Sequence, residues 1–437
     1  MRVAVLALAL AVSGHARADG AFPDSAQIMV PADLPHRVAI GTNFGLLVSE
    51  DDGASWSWIC EQAIAPCARL YQMTAAPVDA VVAVSGTGLV ILGDDLCGAA
   101  SAAGPFLPTA VTDAFVDPSD ARRVLAIALL VPGTGQGPYG ILESHDGGLH
   151  FATIYQAPDN TFLSGVEIAR SDPATVYAAL GGFGANPLPP TILRSQDGGT
   201  SFASFDQSAT LGDRSIAIAG VDPTDARRIF LRVTDRVAAQ DSLGVSDDGG
   251  VTTRIALTLP AGTSMTAFLK RADGSILVTG VVPKGSGACG GYDLTGDGGA
   301  VGYLSTDGAA TFAPWPNVPH VRAMAERAGT LYVVANNFAD GFAVGTSTDQ
   351  GAHFTPILHF NQIGGPLACP RVQAACATAW TDLMKTFGIG DMGAGDMGGS
   401  GGGGGCAIAP RAPWLGGAIA MLLAWAAWLA RRRGAAR

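Results

Sequence analysis

The chain has 437 residues, of which 14% are charged, with 59 glycines, 26 prolines and a formal net charge of −11. Seven of its 26 basic residues lie in the first 18 and the last 27 positions, which leaves 19 basic against 37 acidic side chains between them. An acidic body without a basic stripe repels phosphate backbones, which excludes nucleic acid as an expected partner.

The N-terminus has the order of a signal peptide. Arg2 supplies a positive charge, an apolar run covers residues 3–12, and residues 16–18 (Ala-Arg-Ala) form a small-x-small cleavage site. Residues 1–18 are therefore predicted to be removed on export.

Six of the seven cysteines lie in the predicted exported body, and an even number there predicts up to three disulfides. The equal spacings within 60–67 and 369–376 favour two local loops, which would leave a third pair. The six candidates are Cys60, Cys67, Cys97, Cys289, Cys369 and Cys376. A zinc site is disfavoured because the chain has no CxxC and no histidine near either local pair.

An octapeptide of the form Ser-x-Asp-x-Gly-x-x-aromatic recurs along the body. Four copies are complete, the copy at 246 ends in Thr253, and the copy at 305 has Ala309 in place of the glycine. A decayed copy is predicted at Gly93, midway through the longest gap. The pattern residues are Ser49, Asp51, Gly53, Trp56, Ser144, Asp146, Gly148, Phe151, Ser195, Asp197, Gly199, Phe202, Ser246, Asp248, Gly250, Ser305, Asp307, Phe312, Ser347, Asp349, Gly351 and Phe354.

Apolar runs of strand length precede these copies, each introduced by a polar turn. They include residues 124–131, 176–180, 229–233, 276–278 and 331–335. One unit then contains four strands in about 40–50 residues, which is the size of a propeller blade. With the decayed copy there are seven units, so the sequence predicts an all-β fold, a seven-bladed β-propeller over residues 19–365.

The octapeptide resembles the Asp-box (BNR) repeat of sialidases, of the sortilin ectodomain, of photosystem assembly factors and of some endoglucanases. The resemblance covers about residues 26–362. It implies that each box joins the third and fourth strands of a blade, on the face away from the ligand. The box residues are then structural.

No catalytic residue is predicted, because the Arg-Ile-Pro signature of sialidases is missing and the body has few glutamates. Endoglucanases with this repeat resemble two tandem propellers, and this chain has room for one. A glycoside hydrolase that uses paired carboxylates stays open as the alternative function.

No metal site and no cofactor are predicted. Residues 293–298 match the first half of an EF-hand-like loop, but Leu304 occupies the position of the bidentate acid. The histidines show no metal-binding spacing, and neither a nucleophile elbow nor a phosphate-binding loop occurs.

The loops between the second and third strands vary most, and rigid scaffolds usually carry recognition on such loops. The leading interpretation is a non-enzymatic binding or scaffolding module with an unknown protein or glycan ligand. The candidate ligand-binding residues are Tyr139, Phe183, Asn186, Tyr292, Asn336 and Asn337.

Beyond the repeats, residues 366–387 are predicted either as a short helix docked on the last blade or as a coil stapled by disulfides. Residues 388–405 are rich in glycine and read as a flexible linker. The segment 406–437 begins with Cys406 and contains an apolar stretch, 414–430, followed by three arginines.

That ordered tail resembles the myxobacterial C-terminal sorting signal (MYXO-CTERM). The resemblance implies a tail that enters the membrane, a sorting protease that removes its helix, and an anchor on Cys406 that holds the mature protein at the outer surface. The alternative is a permanent single span of the inner membrane with a periplasmic body.

Overall fold

The computed structural model describes residues 25–68, 70–131, 138–182, 188–283, 285–286, 292–293 and 298–389. The predicted signal peptide, linker and tail lie outside these residues. None of the helices in the described ranges is both long enough and apolar enough to cross a bilayer.

Seven four-stranded antiparallel sheets follow one another along the described chain. The first three contain β1 (Ser25–Met29), β2 (Val38–Thr42), β3 (Gly45–Ser49) and β4 (Ser57–Cys60); β5 (Leu70–Met73), β6 (Val81–Ser85), β7 (Gly88–Leu92) and β8 (Ala99–Ser101); β9 (Phe106–Val116), β10 (Val124–Leu130), β11 (Tyr139–Ser144) and β12 (Ala152–Gln156).

The remaining four sheets follow the same order, and the sixth carries an inserted two-stranded hairpin, β23–β24. They contain β13 (Thr161–Ile168), β14 (Val176–Gly182), β15 (Thr191–Ser195) and β16 (Ala203–Asp206); β17 (Ser215–Asp222), β18 (Asp225–Asp235), β19 (Gln240–Ser246) and β20 (Arg254–Thr258); β21 (Ser264–Lys270), β22 (Ile276–Val281), β23 (Gly285–Ser286), β24 (Tyr292–Asp293), β25 (Ala300–Ser305) and β26 (Ala313–Pro314); β27 (Ala323–Arg327), β28 (Thr330–Val334), β29 (Val344–Ser347) and β30 (Thr355–Leu358).

The first strands of the sheets close into a ring. Each of β1, β5, β9, β13, β17, β21 and β27 contacts the first strand of the next sheet, and β27 contacts β1. Seven radial sheets around one axis form a seven-bladed β-propeller, as the repeat count predicts, and the sheets are blades 1 to 7 in chain order.

The core lies between neighbouring blades. The second strands are buried along their whole length in several blades, as in β10, because each sheet is covered by a blade on either side. Fourth strands are mostly exposed, as in β12 and β16. This burial explains why second strands are continuous apolar runs in the sequence while the outer strands are not.

Residues after blade 7 close the ring along the outer edge of blade 1. The segment 364–367 runs parallel to β4, and the Trp58 amide donates to the Gly365 carbonyl at 2.8 Å while the Leu367 amide donates to the Trp58 carbonyl at 2.8 Å. Helix α2 (Pro370–Phe387) then packs on β4 and on the 3-10 helix at Glu61–Ala63. A shorter helix, α1 (Ser208–Leu211), connects blades 4 and 5.

The predicted local disulfide loops are wrong. Cys376 is bonded to Cys60 with a Cα–Cα distance of 5.6 Å, and Cys369 is bonded to Cys97 with a Cα–Cα distance of 6.0 Å. The equal spacings misled because Cys369, directly before α2, and Cys376, within it, bond to two different blades. The helix packs mainly on blade 1, and Phe387 at its C-terminal end also contacts Phe338 of blade 7 and Phe360. Cys67 is also disulfide-bonded, and Cys289 and Cys406 lie outside the described residues.

Arginines bridge neighbouring blades by donating to backbone carbonyls of the next blade. Among the described residues, six of the seven interfaces carry such a bond. The pairs are Arg37 with Asp94 (3.3 Å), Arg123 with Pro173 (2.8 Å), Arg194 with Gly249 (2.8 Å), Arg254 with Ala309 (2.9 Å), Arg271 with Gly329 (3.2 Å) and Arg327 with Arg37 (2.7 Å). These six arginines therefore stabilise the contacts between neighbouring blades.

Candidate functional site

The antiparallel order gives the propeller two different faces. The first-to-second and third-to-fourth strand connections emerge on one face, which carries the octapeptides and is called the turn face. The second-to-third connections and the links between blades emerge on the other, called the loop face.

On the turn face, the octapeptide at Ser195 shows how each turn is built. The Ser195 hydroxyl donates to Asp197 Oδ1 at 2.8 Å and accepts the Gly199 amide at 2.8 Å. Asp197 also accepts the Ser201 amide at 2.9 Å and the Ser201 hydroxyl at 2.6 Å. Gly199 has φ +96°, which a residue with a Cβ adopts only with strain. The polar side chains of Ser195 and Asp197 therefore form their hydrogen bonds within the turn itself.

The same bonds recur in the other five octapeptides. Each serine donates to its aspartate at 2.7–2.8 Å and accepts an amide four residues on. The sequence pattern missed the seventh position, where a hydroxyl or imidazole always contacts the aspartate. These residues are Ser55, His150, Ser201, Thr252, Thr311 and His353.

These bonds stabilise the ionised aspartates. The Ser201 hydroxyl, the Ser201 amide and the Ser195 hydroxyl hold the pKa of Asp197 at about 2. The pKa values of Asp307 and Asp349 are also lowered, first by the side chains of Thr311 and His353. A carboxylate fixed in this way is a poor proton donor or acceptor near neutral pH.

The altered copies keep the turn by other means. Thr253, in place of the aromatic, is buried and donates to Gln207 Oε1 at 2.7 Å, while Gln207 Nε2 donates to the Gly250 carbonyl at 2.8 Å. Ala309 adopts φ +64°, and its amide still donates to Ser305. In the decayed copy of blade 2, Asp95 accepts the amide of Cys97 at 2.8 Å, and the Cys97 disulfide ties this turn to α2.

The central channel is lined by polar side chains that reach from one first strand to the next. Gln27 accepts the Tyr71 amide, and Gln72 accepts the Val116 amide at 2.8 Å. Asp113 accepts the Val166 amide at 2.9 Å, and Glu167 accepts the Val221 amide at 2.9 Å. These four acceptors link blades 1 to 5 in succession.

Asp113 and Glu167 are the two acids of this series, on the neighbouring strands β9 and β13. Burial raises the pKa of Asp113 to about 6, although the Val166 and Ala114 amides oppose the shift. Burial raises the pKa of Glu167 to about 7, and the charge of Asp113 adds to the increase. Asp113 and Glu167 are partly exposed, and they line the channel because β9 and β13 are the first strands of their blades. The sequence signal for them was a lone acid within an apolar strand.

Two cavities adjoin blade 1, one toward blade 2 and one toward blade 7. One, of about 380 Å³, is formed mainly by β1 and β5 and is lined by Gln27, Ile28, Met29, Val30, Pro31, Tyr71, Gln72, Met73 and Ala323. The other, of about 450 Å³, lies beside the blade 1 octapeptide, against β30, and includes Asp52, His359 and Gln362. Within the described ranges, no group of three or more His, Cys, Asp or Glu side chains could hold a metal ion.

The loop face differs sharply from blade to blade. Blades 1 and 2 have two-residue turns at 43–44 and 86–87, and blade 5 has a short turn at 236–239. The corresponding connections are 131–138 in blade 3, 183–190 in blade 4, 282–299 in blade 6 and 335–343 in blade 7. The long connections therefore lie in blades 3 and 4 and in blades 6 and 7, on either side of the short turn of blade 5.

The candidate ligand-binding residues lie in different environments. Asn336 is buried, and its side chain accepts the amides of Phe338 and Ala339 at 3.0 and 3.1 Å. Asn337 accepts the Phe360 amide at 3.0 Å. Asn336 thus shapes its own loop, and Asn337 ties that loop to the segment that follows β30. Tyr139 begins β11 and packs partly against the core between blades 3 and 4. Phe183, Asn186 and the side chain of Tyr292 lie outside the described part of the chain.

Apolar side chains at the loop tips were not singled out from the sequence. Of the six large apolar side chains that are most exposed among the described residues, four lie on the loop face. They are Val131 (52% exposed), Leu188 (41%), Val237 (97%) and Phe338 (47%). The other two, Val251 and Ile255, lie in blade 5 at the turn face and on β20.

Among solved structures, the chain is similar to other propeller proteins at low identity. It is 15% identical to an ancestral GH74 enzyme (TM-score 0.41; 77% of this chain, 38% of that one) and 15% identical to the GH74 xyloglucanase from Xanthomonas campestris (TM-score 0.42; 77% and 45%). It is 10% identical to an oligogalacturonate lyase in complex with manganese (TM-score 0.44; 68% and 85%).

The likeness concerns the propeller fold only. The chain spans less than half the length of the two GH74 enzymes. No protein-family model and no curated protein matches the sequence.

Proposed function

We propose that the chain is a non-enzymatic binding or scaffolding propeller, held at the cell surface, whose ligand is a protein or glycan bound on the loop face. The observation that carries the proposal is the contrast between the two faces. In each octapeptide on the turn face, the serine and the aspartate form hydrogen bonds within their own turn. The loop face, in contrast, has connections of unequal length and exposes four large apolar side chains.

The Asp-box resemblance and the export signals support the same assignment. The resemblance implies a ligand on the face away from the boxes, which is the loop face. Disulfides that join α2 to blades 1 and 2 fit an oxidising compartment. The tail would supply the membrane anchor through Cys406, after the action of a sorting protease.

A photo-activatable diazirine residue tests the proposal on intact cells. It replaces Val237 on the loop face or Val251 on the turn face, two exposed valines of the same blade. We expect cross-linked products from position 237 and few or none from position 251. Equal labelling from both positions, or none from position 237, contradicts a ligand on the loop face.

One observation favours the alternative, a glycoside hydrolase with paired carboxylates. Asp113 and Glu167 lie on neighbouring strands of the channel, and their raised pKa values suit proton transfer. Each of these acids also accepts an amide of the next blade, a role that Gln27 and Gln72 fill in blades 1 and 2 without an ionisable group. The shared role favours a structural function for the acids.

A turnover assay separates the two candidates. The full chain is incubated with aryl glycosides, sialosides and β-glucans, beside Asp113→Asn and Glu167→Gln. Turnover by the natural chain that is lost in both variants, with melting temperatures that are not lowered, would replace the binding proposal with the hydrolase. We expect no turnover in any of the three proteins.

A further inference from the structure

The cavity of about 450 Å³ lies between the blade 1 octapeptide and β30, where the ring closes. Between blades 4 and 5, the residue after the fourth strand is Gln207, which is buried and forms hydrogen bonds to Gly250 and Thr253 of the next octapeptide. The corresponding residue after β30 is His359, which is only partly buried and lines the cavity. The interface between blades 7 and 1 therefore keeps an open cavity beside the octapeptide, whereas a buried glutamine contacts the turn between blades 4 and 5.

Asp52 brings a carboxylate to this cavity from the blade 1 octapeptide. It is the fourth residue of that turn and has φ +57°, a conformation that favours glycine, and blades 3 to 6 have glycine at this position, such as Gly198 with φ +72°. Arg327 donates to Asp52 Oδ1 at 2.9 Å, and His36 Nδ1 lies 2.6 Å from Oδ2. A carboxylate has about four acceptor positions, so Asp52 can accept further hydrogen bonds from a molecule in the cavity.

The segment that includes and follows β30 adds hydrogen-bond donors and an apolar wall. Gln362 Oε1 accepts the His359 amide at 2.8 Å, which identifies the oxygen end of the side chain and leaves two N–H donors on Nε2. Gln362 is exposed and lines the cavity, so these donors are accessible to a bound molecule. Pro356 and Ile357 of β30 supply the apolar wall.

The charges of the cavity favour a neutral ligand over a cation. Arg327 offsets the negative charge of Asp52. Asp51 accepts three hydrogen bonds from Ser49 and Ser55 within its own turn, which distribute its charge. A small molecule in the cavity thus meets both acceptors and donors beside an apolar wall. A sugar ring has the matching chemistry, because its hydroxyl groups donate and accept hydrogen bonds while its C–H face is apolar.

We propose that this cavity binds one neutral pyranose unit of a glycan. Hydroxyl groups of the sugar donate to Asp52 and accept from Gln362 Nε2, and its C–H face lies against Pro356 and Ile357. The volume of the cavity falls within the range of about 300–1,000 Å³ that is usual for small-molecule sites. The site uses none of the second-to-third connections, so it adds to the function proposed above and does not depend on it.

Saturation-transfer difference NMR with the methyl glycosides of glucose, galactose and mannose tests the site on the full chain, held in a detergent without a sugar headgroup. The blocking variant is Ala54→Trp, which places an indole at the sixth position of the blade 1 octapeptide, at the exposed edge of the cavity. Ala310→Trp, at the same exposed position in blade 6, is the matched control. We expect at least one glycoside to bind the natural chain and Ala310→Trp equally, with a millimolar dissociation constant, and its signal to fall at least fivefold in Ala54→Trp.

His359→Leu is a second variant, which decides the test if Ala54→Trp lowers the melting temperature. It removes the imidazole without altering the octapeptide, and we expect the dissociation constant of the glycoside to rise several-fold. Methylammonium and methylguanidinium are titrated in parallel. If either of them binds in a manner that Ala54→Trp abolishes, and no glycoside binds, the cavity takes a cation and the sugar proposal is wrong.

Two other outcomes also overturn the site. Glycoside binding that is equal in the natural chain, Ala54→Trp and His359→Leu places the sugar elsewhere on the protein, and it leaves the proposed ligand of the loop face standing. The absence of binding by every probe shows that the cavity is not a sugar site, again without bearing on the loop face.

Discussion

Cys376 of helix α2 is disulfide-bonded to Cys60 at the end of β4, across 316 residues of sequence. Each of the seven blades takes its four strands from one stretch of the chain, so among the described strands none is exchanged between the first and last blades. The covalent bond, the parallel segment 364–367 and α2 perform the closure that an exchanged strand would otherwise give.

Removing this disulfide should destabilise the ring. The double substitution Cys60→Ala and Cys376→Ala frees a very long loop in the unfolded chain, and we expect a loss of about 2–5 kcal/mol in the free energy of unfolding. Urea unfolding followed by tryptophan fluorescence measures it. The pair Cys97→Ala and Cys369→Ala serves as comparison, and an unchanged unfolding midpoint in both double variants would show that α2 contributes no closure.

A second prediction concerns the octapeptide serine. Ser195 is buried and accepts the buried Gly199 amide, so Ser195→Ala leaves that amide without its partner and should cost about 1–3 kcal/mol. Ser201→Ala, in the same turn but exposed, is the matched control and should cost less. If thermal unfolding shows equal losses for both variants, the serine is not the centre of the turn.

The spacing of the octapeptides was sufficient to predict seven blades, because each turn is a local structure with its own bonds. The disulfide pairing could not be predicted from the sequence, since it depends on where α2 crosses the outer edge of blade 1. Asn336 and Asn337 were candidates because loop asparagines are polar, but the backbone amides that they accept, from Phe338 and from Phe360, could not be predicted from the sequence. The interblade role of Glu167 required knowledge of which first strands are neighbours.

A third prediction is a fall in stability as the pH rises. The folded-state pKa values of Asp113 (about 6) and Glu167 (about 7) lie above their ordinary values, so the folded protein holds more protons than the unfolded chain between about pH 4 and 7. The stabilisation that these two groups supply is complete below about pH 4 and is lost as the pH rises through 6 and 7. The lowered pKa of Asp197 acts in the other direction, and its contribution is lost as the pH falls through about 4 to 2.

Glu167→Gln isolates this effect. Gln72 already accepts the equivalent amide in blade 2, so glutamine fits the position. We expect the variant to be more stable than the natural chain by about 1–3 kcal/mol at pH 8 and to lose the advantage near pH 4.5. Urea midpoints at both values of pH decide it. A constant difference between the two proteins would show that Glu167 keeps an ordinary pKa.

The last prediction concerns the closing interface between blades 7 and 1. Arg327 is well buried, donates to the Arg37 carbonyl at 2.7 Å and to Asp52 Oδ1 at 2.9 Å, and its guanidinium lies 5.4 Å from the centre of the Tyr332 ring. Arg327→Ala removes a charge-assisted bridge and deprives the Arg37 carbonyl of this donor, at an expected cost of about 2–4 kcal/mol.

Arg214→Ala is the control for Arg327→Ala, because Arg214 is 40% exposed and pairs with Asp235 at the surface of blade 5, where a salt bridge contributes about 0–1 kcal/mol. Hydrogen exchange should show faster opening of β1 and β27 in Arg327→Ala and unchanged exchange in blades 3 to 5. Uniform acceleration in all seven blades would mean that the ring opens as one unit, so that the interface between blades 7 and 1 is no weaker than the others.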